Sequence, residues 1–182
     1  MRNSAFRVAR RFAGLVALLA GLAMPGVSLA EAPIPLLPPS SALPKGAQPV
    51  DPGEIVRLFQ GKTWKWPDGA GFFGDGRKFQ AYTGAGRDGS VATGRWFLTL
   101  RGTLCMQADW ISLGAKKAVL DCFEHARLGN AILEHKAGSE RDWYPLITTP
   151  PRASDEARNL VAGDQVSKEA QLIEKALRPG QP

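Results

Sequence analysis

Cys105 and Cys122 are the whole thiol complement of this 182-residue chain. They share no Cys-x-x-Cys spacing, and both stand in strand-like segments. That pattern points to one disulfide in an oxidising compartment, not to a redox centre or a metal site. His125 and His135 each follow a glutamate, Glu124 and Glu134, which invites a metal reading. Gly129-Asn130 between them fits a two-residue hairpin turn. That register sets His125 against Glu134 and Glu124 against His135 on opposite faces, so the histidines cannot share an ion. A three-residue turn would put both on one face. The two-residue form is favoured, so charged cross-strand pairs are expected and no metal.

The cysteines also carry a register. If Cys105 faces Cys122 across antiparallel strands, Leu104 meets Phe123, Met106 meets Asp121, Ala108 meets Val119 and Trp110 meets Lys117. The turn then centres on Leu113-Gly114, where a glycine is wanted. A crosslink over such a loop contributes about 3 kcal/mol if unfolded-state entropy dominates. One face holds Leu104, Met106, Ala108, Trp110, Val119 and Phe123, a core face. The other holds both cysteines with Gln107, Asp109, Lys116 and Glu124, and is expected to face solvent. Asp121 falls on the apolar side. A carboxylate there is paired, protonated or lining a cavity. It is either a core-edge acid held by an arginine or an amide, or a residue that contacts a ligand.

Gly69-Ala70-Gly71-Phe72-Phe73-Gly74 matches a dinucleotide fingerprint by letter only. That fingerprint needs a helix next, and here Asp75-Gly76-Arg77 turns into another strand. The glycines instead suit tight bends where strands curl. No Gly-x-Ser-x-Gly elbow occurs, and no spacing links a serine, histidine and acid. Five tryptophans remain. Trp64 and Trp66 alternate on one strand face, Trp96 shares a face with Leu98 and Leu100, Trp110 lies on the core face, and Trp143 precedes Tyr144. Such residues fill the core of a small barrel or line a pocket for a lipid or sugar.

The positioning elements follow from periodicity. Asp51-Pro52-Gly53-Glu54 starts a helix with a cap, a proline at the first position and a capping box. Ile55, Val56, Leu58 and Phe59 follow, and Gly61 stops it; this helix is expected to plug one end of a sheet. Strands are predicted near 62–66, 70–73, 77–83, 91–101, 103–111, 116–126, 131–136 and 142–147, with glycine turns between them. The fold class is mainly β: a small antiparallel barrel or meander with a short N-terminal helix and a C-terminal helix. Four segments are expected: a signal peptide over 1–30, a proline-rich linker over 31–50, a β-rich globular domain over 51–148, and a polar tail over 149–182. The linker is read as extended and largely unpaired. The tail holds a helix over Ser167–Leu177 with Ser167 as cap, Pro179-Gly180 as stop and a narrow apolar face.

The signal reading rests on Arg2, Arg7, Arg10 and Arg11, the apolar run Phe12 to Met24, and small residues before Glu31. The run is shorter than the roughly 20 residues of a membrane span. The precursor carries a net charge of +6. Losing four arginines and no acid leaves +2, so the high isoelectric point gives no support for nucleic-acid binding.

The landmarks Gly61-Lys62-Thr63-Trp64-Lys65-Trp66, Gly69-Ala70-Gly71-Phe72-Phe73, Phe79-Gln80-Ala81 and Gly94-Arg95-Trp96 form a pattern, continued by Leu104-Cys105, Trp110, Cys122 and Asp142-Trp143-Tyr144. This pattern resembles the bacterial family known as domain of unknown function 995, over roughly residues 51–147. The resemblance implies an exported envelope protein with no assigned active site.

The function expected is a non-enzymatic periplasmic binding or interaction module without a cofactor. Its partner would be an apolar small molecule, or an envelope protein or glycan. Asp121, Trp64, Trp66, Trp96, Trp110 and Trp143 are the candidate cavity residues. The alternative is a small envelope hydrolase using a carboxylate such as Asp121 or the His125 region, which needs two titratable groups converging in one cleft.

Overall fold

A computed structural model describes residues 37, 38 and 40–178. The expected signal peptide and the Pro179-Gly180 stop lie outside the described residues. In chain order the elements are β1 (Gln48–Pro49), α1 (Pro52–Phe59), β2 (Lys62–Trp66), β3 (Gly69–Phe73), β4 (Lys78–Thr83), β5 (Ser90–Leu98), β6 (Leu104–Ser112), β7 (Ala115–Leu128), β8 (Ala131–Lys136), β9 (Tyr144–Ile147), β10 (Leu160–Ala162) and α2 (Ser167–Leu177).

Strands β2 to β9 form one antiparallel meander, each paired with its sequence neighbour. β10 returns to the free edge of β2, and β1 pairs with the end of β7. Alternation along these strands sends one set of side chains inward. Phe73, Phe79, Trp96, Leu104 and Leu146 meet there as the main core. Two glycines let the strands curl this tightly. A Cβ on Gly94 would stand 2.0 Å from the Gln107 carbonyl oxygen, and one on Gly71 would stand 2.9 Å from the Phe79 ring.

The Asp51 side chain accepts from the Glu54 amide at 3.2 Å and starts α1, which buries Ile55 and Phe59 in the core. The expected capping box is half made. The Glu54 carboxylate turns away to Arg127 of β7, whose Nη2 donates to both of its oxygens at 2.6 and 2.7 Å in a charge-assisted contact.

Three expectations change with the tertiary context. The stretch before residue 51 is not unpaired over its described part. It supplies β1, buries Ala47 and Val50, and ties the Ser41 amide to Glu124 at 3.0 Å. The expected solvent face of the cysteine hairpin is consequently covered at one end, where Cys105, Cys122 and Glu124 are buried, while Asp109 and Lys116 at the other end stay in water. The tail helix, for which the sequence leaves docking and a loose state both open, docks. Ala70 and Val91 form an apolar patch on the outer face of the sheet, and Val166, Ala170 and Ile173 close over it as a second core. Ser167 is the first helical residue, not the cap. Asp164 accepts from the Val166 and Ser167 amides at 2.8 and 2.9 Å.

Between β9 and β10 the chain makes a 3-10 turn over Glu156–Asn159. Asp155 pins this crossing by accepting from Thr148 N at 3.0 Å, Thr148 Oγ1 at 2.9 Å and Arg152 N at 2.9 Å. Burial works against the Asp155 charge, but these hydrogen bonds outweigh it and hold the carboxyl below its ordinary range. The turn fills the gap beside β2, and among the described residues no ladder joins β9 to β10.

Candidate functional site

The curled sheet leaves a cavity of about 310 Å³ on its inner face. Its walls are aromatic: Trp64 and Trp66 of β2, Trp110 of β6 and Phe123 of β7. Phe73, Phe79 and Met106 form further wall, and Gly71 and Ala108 leave the space that larger residues would fill. Inward alternation explains the set. Trp64 and Trp66 are two residues apart on β2, and the register brings Trp110 and Asp121 onto the same face.

Asp121 lines the cavity and is also paired. Its carboxylate meets Lys136 Nζ at 2.8 Å, so the partner is a lysine from β8 and neither an arginine nor an amide. Both side chains stay partly in water, which keeps the worth of the pair low. Lys136 also stands 6.0 Å from the centre of the Phe123 ring.

Glu156 completes the rim, and sequence reasoning missed it. It sits in the tail, 92 residues from Trp64, whose indole N–H donates to its Oε1 at 2.7 Å. Asn159 donates to the same oxygen at 3.1 Å. No periodicity ties position 156 to β2; the Asp155 hydrogen bonds place it there. Outward from this rim a wider vestibule adds Arg141 and Tyr144.

Two of the five tryptophans lie elsewhere. Trp96 faces inward but too deep. It is fully buried, donates to the Gly74 carbonyl at 3.0 Å and carries the Arg77 guanidinium 4.1 Å from its ring. Trp143 stands outside, donating to the Ala42 carbonyl at 3.2 Å and lying 5.3 Å from the His135 ring. It clamps the N-terminal arm.

Cys105 and Cys122 are bonded, directly opposite each other with Cα atoms 4.1 Å apart. The hairpin of β7 and β8 pairs His125 with Glu134 and Glu124 with His135 across Gly129-Asn130. Inside, His125 Nε2 meets Glu134 at 3.1 Å and Nδ1 meets the Gly102 carbonyl at 3.0 Å. Tyr144 donates to the other Glu134 oxygen at 2.6 Å. Burial first, then the Glu134 charge, pushes the Tyr144 phenol up from its ordinary range. Outside, His135 Nδ1 faces Ser41 Oγ at 3.1 Å and Glu124 at 3.3 Å. Both contacts fall on one nitrogen, so the trio does not align a serine for attack, which needs the acid and the hydroxyl on different ring nitrogens. Neither histidine lines the aromatic cavity. Among the described residues no three histidine, cysteine or acidic side chains cluster as metal ligands, and no helix is long and apolar enough to cross a membrane.

A family model described as "Protein of unknown function (DUF995)" matches residues 23–166, a span that contains every residue lining the cavity. No curated protein and no solved structure matches the chain.

Proposed function

The chain belongs to the family of unknown function DUF995, and from the geometry of its cavity we propose that it is an exported periplasmic module that binds an apolar small molecule without transforming it. The observation that carries this reading is a concave site whose walls are aromatic and whose few polar groups stand at the rim, the usual make-up of a small-molecule pocket. Its volume is at the lower end of the roughly 300–1,000 Å³ such pockets span, which suits one ring system or a short acyl chain. The signal-like N-terminus and the disulfide support export, because such bonds persist in oxidising compartments. A protein or glycan partner on the rim is the second form of the same reading.

The test is native mass spectrometry of protein recovered from the periplasm, beside a cavity-filling variant, Val119→Trp. Val119 lines the cavity and is half-buried, so an indole there occupies the space without entering the deep core. We expect the N-terminus at Glu31, a co-purifying small molecule on the native chain, and its loss from a variant that melts within a few degrees of it. Equal retention by the folded variant would place the ligand elsewhere.

A further inference from the structure

We propose that the aromatic cavity is selective for a small organic cation, an ammonium group on a compact apolar body, with Glu156 as its counter-ion. This deepens the binding reading above and rests on it.

Charge supplies the first argument. Asp121, Glu156 and Lys136 are the charged residues lining the cavity. Asp121 is neutralised by Lys136 at 2.8 Å, while Glu156 has no basic group within ion-pair distance among the described residues. The site therefore keeps one uncompensated negative charge against its aromatic walls. Arg141 shares the outer vestibule with Glu156 but forms no ion pair with it.

Glu156 is also oriented for this role. Trp64 and Asn159 both donate to Oε1, and Oε2 accepts from no described residue. One oxygen is anchored, and the other is left for a donor or a positive charge. The anchor is itself part of the wall, so the free carboxylate oxygen and the Trp64 ring are held in fixed relation.

The walls supply the second argument. Ring faces attract cations, tryptophan most strongly, and a ring of such faces is the general means of holding quaternary ammonium groups. Trp64, Trp66, Trp110 and Phe123 surround this space. The chain already contains an internal example of the same recognition. The Lys136 ammonium lies 6.0 Å from the centre of the Phe123 ring, at the outer reach of such an attraction, while bonded to Asp121. A ligand cation would repeat that arrangement between Glu156 and the tryptophans.

Three probes of similar size test this by quenching or shifting tryptophan emission: phenyltrimethylammonium, its neutral isostere tert-butylbenzene, and the anion 4-phenylbutyrate. The cation should bind about tenfold or more tightly than the other two, and added salt should weaken it. Glu156→Gln keeps an oxygen to accept from Trp64, so the fold should persist with an unchanged melting temperature. It should lower the affinity for the cation about fivefold to tenfold and leave the neutral probe unaffected. Should the neutral or anionic probe bind as well as the cation, or Glu156→Gln leave the cation's affinity intact, cation selectivity is overturned while the binding module stands. Should none of the three bind wild type, both readings fall.

Discussion

Replacing His125 by leucine should cost far more than replacing His125 and Glu134 together. The two side chains are fully buried and meet at 3.1 Å. Both ring nitrogens of His125 face oxygens, Nε2 the Glu134 carboxylate and Nδ1 the Gly102 carbonyl. His125→Leu fills much of the same space but leaves the Glu134 carboxylate with only the Tyr144 hydroxyl. Breaking a buried pair from one side costs about 3–5 kcal/mol, because the remaining charge stays out of water unpaired. Against a typical domain stability of roughly 5–15 kcal/mol, that is about a fifth of the total or more. His125→Leu/Glu134→Leu removes the stranded charge. Tyr144 is half-buried and can turn to water, so the main residual loss is the Gly102 carbonyl's partner, worth about 1–3 kcal/mol. The coupling between the two sites should then be at least about 2 kcal/mol in favour of the double variant. Urea unfolding of oxidised protein, followed by far-ultraviolet dichroism and tryptophan emission, reads it directly, with unchanged slopes confirming comparable end states. A double variant as unstable as the sum of the singles would refute the reasoning, because no stranded charge would then be the cause.

Other consequences are independent of that pair. Cys105→Ala/Cys122→Ala should destabilise by about 3 kcal/mol for a 17-residue separation, lowering the melting temperature by about 6–12 °C, as calorimetry would show. An equal melting temperature would mean that the unfolded chain is already constrained. Tyr144 has its phenol pushed up in the fold, so its contribution is present below the ordinary value of about 10 and is lost as pH rises above it. Urea midpoints at about pH 9 and about pH 11 should fall less in Tyr144→Phe than in wild type. Asp155 has the opposite sign: held low in the fold, it stabilises above the ordinary carboxylate value of about 4, and that contribution disappears as pH falls through its depressed value. An acid titration of Asp155→Asn followed by dichroism should be flatter than wild type in that range.

Hairpin register was legible because it is local. One crosslink between residues 17 apart, or a two-residue glycine turn, settles which positions oppose each other, and the period of two does the rest. Pairings such as Met106 with Asp121 and His125 with Glu134 follow from those constraints alone. Which face stays wet is different in kind. Cys122 and Glu124 alternate outward as a solvent face would, yet residues that precede them by more than eighty positions cover them. The docking of α2 is similar, since a narrow apolar stripe says how a helix can be buried but not against what.

The amino-acid order by itself determined the meander, the sulfur pairing and the inward set that includes Trp64, Trp66, Trp110 and Asp121, because each depends on neighbours or near neighbours along the chain. Only the tertiary structure decided that Trp96 would be sealed in the core while Trp64, in the same core, also lines the cavity, since depth along a curled sheet depends on where α1 and the closing turn fall. It alone brought Glu156 to Trp64, across 92 residues. Contacts of that range arise from how whole elements pack, and no local period records them.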